Sequence, residues 1–236
     1  MSMLESLEQL AELREVPEVE QEGLESMSLE PVLMEIPEVG EVLVSGEPYE
    51  IAKSLDCVQG DNDYNFSGTC GLVSVENLVR MSGREISEDD VVGRAIAMNL
   101  CSYSLDGNPE NDGGTNGLTR QALLNTYRLP CTLFGDGMPQ LSLEDVAQFA
   151  EAGHGVNISF NAGFAYDVAS AVGDGTSNHS VIVTGTARDP ETGKLVGMFL
   201  CDSGIGQGAV YMPIDRLAGA YYVPGASALI TNEPIR

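Results

Sequence analysis

Apolar residues recur at helical spacing through the middle of the chain. Between residues 70 and 152 they return every three or four positions, as they do along one buried face of a helix. This periodicity predicts helices over residues 70–82, 88–98, 119–127 and 143–152. Ser87 and Ser142 stand at the N-cap positions of two of these helices, and Gly83 and Gly153 stand just beyond helix ends.

The period changes after residue 155, where apolar and polar residues begin to alternate. Alternation is typical of strands, and it predicts strands over residues 156–160, 180–186, 195–201, 209–212 and 220–223. The polar turn Arg-Asp-Pro-Glu-Thr-Gly at 188–193 would join the second and third of these strands into a hairpin. Helices followed by an antiparallel sheet describe an α+β domain, which we expect to occupy residues 49–236.

The first 48 residues differ in composition from the rest of the chain. They contain 13 glutamates, no aspartate and a single basic residue, together with prolines at positions 17, 31, 37 and 48. Leucines at helical spacing predict a short amphipathic helix over residues 3–14, whereas residues 15–48 are expected to be extended or disordered. We interpret residues 1–48 as a leader, a pro-segment or an arm that binds a chaperone or secretion partner. The alternative is a solvated acidic tail.

The net charge limits the partners of the chain. The 236 residues carry a formal charge of −25, and the isoelectric point is about 4.1. Nucleic acids and anionic membranes are recognised by basic surfaces, so we expect neither nucleic-acid binding nor membrane insertion. The N-terminus lacks a secretory signal, and no stretch approaches the length of a membrane span. We therefore expect a soluble protein that is cytoplasmic, or secreted by a route without a cleaved signal peptide.

The cysteines predict a reserved thiol rather than a metal site. No pair has the CxxC spacing of zinc ribbons or thioredoxin-like motifs, and the five positions are Cys57, Cys70, Cys101, Cys131 and Cys201. An odd number is typical of a reducing compartment or of one free functional thiol. Two disulfides with a free Cys70 are the alternative.

Two oxygen-rich loops resemble calcium loops only in part. They lie at residues 61–63 and 106–114, and neither has the full spacing with a closing glutamate. Turn formation is the favoured interpretation of both, and we expect no metal and no cofactor.

Cys70 stands at the junction between a polar loop and a predicted helix. Residues 67–73 read Ser-Gly-Thr-Cys-Gly-Leu-Val, and helical spacing begins at the cysteine. At a helix N-terminus the unpaired backbone N–H groups and the helix dipole favour a thiolate. A thiolate is the nucleophile of cysteine hydrolases, so Cys70 is the candidate nucleophile.

A cysteine nucleophile needs a base, and the chain offers two histidines. His179 opens the strand predicted at 180–186, which would hold its ring rigidly. His154 lies between two glycines in a predicted turn and is the less favoured candidate. Asp202 follows the strand predicted at 195–201, and the hairpin would bring its carboxylate beside His179 to orient the ring. The alternative role for Asp202 is to open an Asp-Ser-Gly turn.

Three motifs in this order resemble the papain-like cysteine peptidases. They are Cys-Gly at a helix start (70–71), His-Ser-Val-Ile-Val-Thr-Gly opening a strand (179–185), and a strand that ends in Cys-Asp-Ser (201–203). Within that superfamily the pattern is most similar to the bacteriocin-processing, double-glycine leader type. The resemblance implies a papain-like α+β fold, with an N-terminal helical part whose nucleophile helix packs on a C-terminal antiparallel sheet. It also implies that Cys70 is the nucleophile, His179 the base and Asp202 its partner.

The same resemblance implies a side-chain amide ahead of the cysteine, which forms an oxyanion hole with the backbone N–H of the cysteine. Gln59 is the candidate for this amide. It precedes Cys70 by more residues than is usual in the family, and an insertion at 61–66 would account for the difference. Asn62 or Asn65 is the alternative donor, and a structural role is the alternative for Gln59.

These residues together predict a cysteine peptidase that hydrolyses a peptide or isopeptide bond in a protein or peptide substrate. The first alternative is a papain-like bacterial effector or toxin that acts as a glutamine deamidase or acyltransferase, since these reactions use the same thioester. The second is a non-catalytic binding module that uses the acidic N-terminal arm.

Overall fold

Helices and strands are both present in the part of the chain that the structure, a computed structural model, describes: residues 30–104 and 112–236. The strands in these ranges are β1 (Val32–Ile36), β2 (Gly40–Ser45), β3 (Cys131–Gly135), β4 (His154–Phe160), β5 (His179–Arg188), β6 (Leu195–Asp202), β7 (Gln207–Pro213) and β8 (Ser227–Pro234). The α-helices are α1 (Pro48–Ala52), α2 (Cys70–Met81), α3 (Glu88–Ala97), α4 (Gly117–Thr126), α5 (Leu143–Glu151), α6 (Ala162–Tyr166) and α7 (Ile214–Tyr221). Within the described ranges, no helix has both the length and the apolar character that crossing a membrane requires.

The strands form one antiparallel sheet centred on β5. The order along its main path is β1-β2-β5-β4-β8-β3, and β6 and β7 extend it from β5. β5 pairs with β2, β4 and β6, and its residues 180–187 are all buried. The strand that carries His179 is therefore covered on both faces and held by neighbours along its length.

Helices cover both faces of the sheet. On one face α2 packs against β4 and β5, and Leu72 shares a core with Ile182. On the other face α5 and α7 pack against the sheet, and Val146 and Leu217 share a second core with Val181. Val181 and Ile182 enter different cores because successive residues of a strand point to opposite faces.

The four helices predicted from periodicity are present. α3 and α5 begin with capping boxes, in which Ser87 and Ser142 exchange hydrogen bonds with the aspartates three residues later. α4 starts two residues earlier than predicted, because Asn116 supplies its N-cap. The mixed class with an antiparallel sheet is confirmed. The sheet is not confined to the C-terminal half, however, because β1 and β2 also belong to it.

The strand predicted at residues 220–223 is wrong. Helix α7 ends at Tyr221 instead, and its buried residues Leu217, Ala220 and Tyr221 follow the i, i+3, i+4 spacing of a helix face. A short apolar run fits both a strand and one side of a helix, so periodicity over four residues did not separate the two.

A hairpin lies where the sequence predicted an extended or disordered segment. β1 and β2 pair with each other, and residues 43–45 of β2 pair with β5. Val42 and Val44 are buried, while glutamates occupy neighbouring positions and gave the segment its polar composition. The sheet therefore begins inside the N-terminal region. Residues 1–29, with the helix predicted at 3–14, and residues 105–111 of the second oxygen-rich loop lie outside the described residues.

Replacing Val44 by alanine tests whether the hairpin unfolds together with the sheet. Val44 is fully buried in a cluster with Ile36 and Phe199. The substitution removes buried carbon atoms and leaves a cavity, so we expect urea denaturation to give a free energy of unfolding lower by about 2 kcal/mol. Val32→Ala is the matched control, since Val32 is 59% exposed in the same hairpin. An equally small effect of both variants would contradict the cooperative sheet.

Candidate active site

Cys70 is the first residue of α2. The loop that precedes Cys70 is bonded to the segment that begins at Asp112, because the Gly68 N–H donates to the Asp112 carbonyl oxygen at 2.9 Å. Residues 71–79 of the helix are all buried, whereas Cys70 itself is partly exposed. A fixed helix therefore presents one accessible thiol at its positive end.

Strand pairing brings His179 and Asp202 together. His179 begins β5 and Asp202 ends β6, and these antiparallel strands pair so that Ile182 lies opposite Cys201. Nε2 of His179 lies 2.7 Å from Oδ1 of Asp202. The Cys70 thiol and the His179 ring line the same cavity, and each shifts the pKa of the other. Three of the four predicted site residues thus lie together at one site.

The Asp202 carboxylate is satisfied by further donors. Its side chain is fully buried, the Tyr166 hydroxyl donates to Oδ2, and the Gly204 N–H donates to Oδ1 at 2.8 Å. A buried carboxylate without such partners would be costly, so Tyr166 and Gly204 help to keep it ionised. Tyr166 was not foreseen, because the sequence showed no signal for the short helix α6 that carries it.

The pKa values of these groups favour a thiolate–imidazolium pair. Burial raises the pKa of the Cys70 thiol, but the hydrogen bond and positive charge of His179, with the charge of Arg120, lower that pKa below its usual value overall. Burial lowers the pKa of His179, but its hydrogen bonds to Asp202 and Cys70 raise it to about 10. Burial also opposes ionisation of Asp202, yet its bond to His179 holds the carboxyl pKa below the ordinary range. The thiolate, which is the reactive form, is therefore more favoured at Cys70 than at an ordinary cysteine.

A buried polar network joins α2 to the start of β5. The Ser74 hydroxyl donates to the Cys70 carbonyl oxygen at 2.8 Å and lies 3.1 Å from the Ser180 hydroxyl. Nδ2 of Asn157 donates to the Ser180 hydroxyl and to the Val181 carbonyl oxygen, each at 2.8 Å. This network holds the first turn of the helix against the residue that follows His179. It was missed from the sequence, because Ser74, Asn157 and Ser180 lie on elements that are far apart along the chain.

His154 is separated from the other site residues. It begins β4, whereas Phe160 at the other end of β4 is the residue that pairs with His179. At the usual rise per residue this places His154 about 20 Å along the strand from that pair. Its Nδ1 lies 2.6 Å from the Thr231 carbonyl oxygen. The structure thus leaves His179 as the histidine near Cys70.

Gln59 lies beside the loop that precedes Cys70. Its Nε2 donates to the Ser67 carbonyl oxygen at 2.8 Å, and its backbone N–H donates to the Ser203 carbonyl oxygen at 3.2 Å. Asn62 is occupied differently, since its Nδ2 donates to the Phe66 carbonyl oxygen at 2.7 Å and to a Glu88 carboxylate oxygen at 3.1 Å. With its amide hydrogens bonded to the loop and to helix α3, Asn62 is a poorer oxyanion donor than Gln59. The oxyanion role of Gln59 stays a prediction.

The oxygen-rich loop at 61–63 serves as a connection between elements. Besides the two Asn62 bonds, the Asp63 N–H donates to Asp89 Oδ1 at 2.7 Å. Among residues 30–104 and 112–236, no group of three or more His, Cys, Asp or Glu side chains is arranged to hold a metal ion. The loop is therefore explained by turn and capping contacts.

A cavity of about 280 Å³ opens beside the candidate nucleophile. Cys70, His179 and Arg120 are among the residues that line it. A larger cavity, of about 680 Å³, lies by Arg80 and Arg84 and contains none of the three predicted residues. The reactive groups, and not cavity volume, therefore mark the candidate site.

The comparisons with known proteins agree with this fold. No protein-family model and no curated protein matches the chain. Among solved structures, the chain is similar to a C39-like peptidase from Bacillus anthracis whose own assignment is provisional. The identity is 15% and the TM-score 0.51, over 78% of this chain and 96% of that chain. At this identity the similarity shows the fold alone: a mixed helix and antiparallel-sheet fold like that of the C39-like peptidase.

The pH dependence of Cys70 alkylation tests the thiolate–imidazolium pair. Because the Cys70 pKa is lowered, we expect its reaction with iodoacetamide to remain fast as the pH falls from about 8.5 to about 6.5. In His179→Ala the stabilising cation is gone and burial raises the thiol pKa, so the rate should fall about tenfold per pH unit. Peptide-resolved mass spectrometry measures Cys70 separately from the other cysteines. His154→Ala is the matched control, and a pH profile shared by both histidine variants would contradict the assignment.

Proposed function

We propose that the chain is a cysteine peptidase that hydrolyses peptide or isopeptide bonds. The observation that carries this proposal is that Cys70 and His179 line one cavity while His179 hydrogen-bonds Asp202, with opposite shifts in the pKa values of thiol and imidazole. A cysteine-peptidase-like fold supports it at a coarser level. No cofactor is needed, since thiol, imidazole and water supply every group in the reaction.

The proposed reaction passes through a thioester. The Cys70 thiolate attacks the substrate carbonyl carbon, and a tetrahedral oxyanion forms. As the carbon–nitrogen bond breaks, the His179 imidazolium gives its proton to the leaving amine and becomes the neutral base. Water then loses a proton to His179 while it attacks the thioester, which releases the carboxylic acid and restores the thiolate. Asp202 keeps the ring oriented and stabilises its protonated form.

The oxyanion would be stabilised by two N–H donors. The backbone N–H of Cys70 belongs to the first turn of α2, where helix N–H groups have no partner within the helix. Gln59 is the proposed second donor, and it would turn its amide from the Ser67 carbonyl towards the substrate. Donors of this kind contribute most when they are fixed before the charge develops.

Replacing Cys70 by alanine tests the nucleophile and the reaction class together. We expect Cys70→Ala to lose hydrolysis by at least about a thousandfold while keeping its urea unfolding midpoint, because the thioester cannot form. Cys57→Ala is the matched control, since Cys57 is also a partly exposed thiol, and it should retain activity. Mass spectrometry of a treated polypeptide mixture distinguishes the outcomes. A broken chain supports a peptidase, a gain of about 1 Da on glutamine supports a deamidase, and an active alanine variant contradicts every thioester reaction.

The finer assignment to the double-glycine leader type is also a proposal. The single Gly-Gly of this chain, Gly113-Gly114, is held inside the fold, because Gly113 N–H and Gly114 O both bond to the backbone of Ser102. It is therefore not presented as a site for self-cleavage. A substrate of this type would be a separate protein or peptide in a cytoplasmic or secreted setting.

Removing residues 1–29 tests the role of the acidic N-terminal region. This deletion leaves the hairpin β1–β2 in place, so the sheet keeps its buried residues. If the region is an inhibitory pro-segment, the truncated chain should have a higher kcat/KM on a short peptide, since the segment no longer competes for the cavity. Restoring the removed peptide in trans should reverse the gain. Equal activity of the two chains would exclude inhibition and leave a leader or a chaperone- or secretion-binding arm.

A further inference from the structure

The cavity beside Cys70 is lined by polar residues and glycines. Thr115, Arg120, Asp136 and Asn178 contribute to it, and the other lining residues are glycines, serines and a few further polar residues. No aliphatic side chain of the described residues lines it. Such a cavity offers hydrogen-bonding groups to a polar substrate group.

Arg120 is a buried cation with an unused donor. Its side chain belongs to a residue that is 4% exposed, and Nη2 donates to the Ser159 hydroxyl at 2.6 Å and to the Ser227 hydroxyl at 3.3 Å. Its Nε has no hydrogen-bond partner, and none of the described carboxylates lies within 4 Å of the guanidinium. Buried arginines are normally paired with a carboxylate, whereas the negative charges that act on this one come from the Cys70 thiolate and from Asp136, which forms no ion pair with it.

A second buried polar group in the same cavity also lacks a partner. The Thr115 hydroxyl is buried and makes no hydrogen bond. A Cβ added at Gly71 would lie 2.0 Å from this hydroxyl and 3.2 Å from Arg120 Nη1. Glycine beside the nucleophile therefore allows both polar groups to stand next to Cys70.

We propose that this cavity is a subsite for a carboxylate of the substrate, bound by Arg120 and Thr115 close to the scissile bond. The carboxylate belongs either to a Glu or Asp side chain or to the end of a chain. An arginine and a hydroxyl together supply the charge-assisted donors that a carboxylate accepts. The inference rests on the proposed peptidase function, and it adds the chemical class of the group recognised beside the attacked carbonyl.

Asp136 provides a second test, in which the expected effect on carboxylate binding is an increase. It is exposed and lines the same cavity, so its negative charge opposes the entry of a carboxylate. Its φ of 53° is in the left-handed region, which asparagine also adopts readily. Asp136→Asn therefore removes charge without straining the backbone or opening the core, and carboxylate binding should become stronger.

The test compares two alkylating reagents that differ in one group. Iodoacetate carries a carboxylate where iodoacetamide carries a neutral amide, and both place it next to the carbon that Cys70 attacks. We measure the second-order rate constants at Cys70 in the full chain and take the ratio of iodoacetate to iodoacetamide. We expect Arg120→Gln to lower this ratio about tenfold and Asp136→Asn to raise it, since a bond to a charged group is worth about that factor. Lys194→Gln, which removes an exposed charge in the turn between β5 and β6, should leave the ratio unchanged.

The possible outcomes distinguish a failure of the carboxylate subsite from a failure of the proposed peptidase function. If Arg120 serves only to stabilise the thiolate, its loss slows both reagents equally and the ratio stays constant, which overturns the subsite. If iodoacetamide does not alkylate Cys70 in the wild-type chain, Cys70 is not a reactive thiol and the proposed peptidase function is contradicted. If Arg120→Gln does not fold, Asp136→Asn alone decides the test. An unchanged ratio of iodoacetate to iodoacetamide rates in that variant overturns the subsite. Peptide pairs with Glu or Gln, and with free or amidated C-termini, then identify the source of the carboxylate; preference for Lys would contradict the inference.

Discussion

The contact between His179 and Asp202 is the interaction on which the rest of the site depends. A fully buried carboxylate stays charged only where donors surround it, and here an imidazole, a tyrosine hydroxyl and a backbone N–H do so. The charge of Asp202 raises the pKa of His179, and the protonated ring in turn lowers the pKa of Cys70. Each charge in the chain is thus stabilised by the next, and removing one would leave its neighbour buried and unpaired.

The fold supplies the positions that this chain of charges requires. His179, Asp202 and Cys70 stand at the ends of three elements, and β5, the central one, is buried on both faces. Ser180 connects two of those ends, because its hydroxyl contacts the Ser74 hydroxyl, which in turn donates to the Cys70 carbonyl oxygen. Polar groups inside a core restrict the packing to arrangements that satisfy them. The helix and the strand are therefore held in a register that keeps thiol and imidazole in contact.

Local signals explain how much of this arrangement was predictable from the sequence. The capped helices followed from serines and apolar periodicity, and the approach of Asp202 to His179 followed from a turn joining two neighbouring strands. Tyr166 and Arg120 were not predicted, because their roles come from packing between distant segments that periodicity does not describe. The hairpin β1–β2 was missed because its glutamates lie next to the buried valines and dominate the composition. The strand predicted at 220–223 failed for the related reason that four apolar residues fit either period.

The lining of the cavity carries information that the fold does not. A structural similarity at 15% sequence identity indicates the course of the backbone, but it does not indicate which side chains face a substrate. The chain as a whole is strongly acidic, so long-range attraction favours neutral or basic polypeptides, screened beyond about 8 Å at physiological ionic strength. Arg120 acts at a shorter range, where an unpaired buried guanidinium outweighs the distant surface charges. The two effects together favour one carboxylate, close to the scissile bond, within a segment that is otherwise neutral or basic.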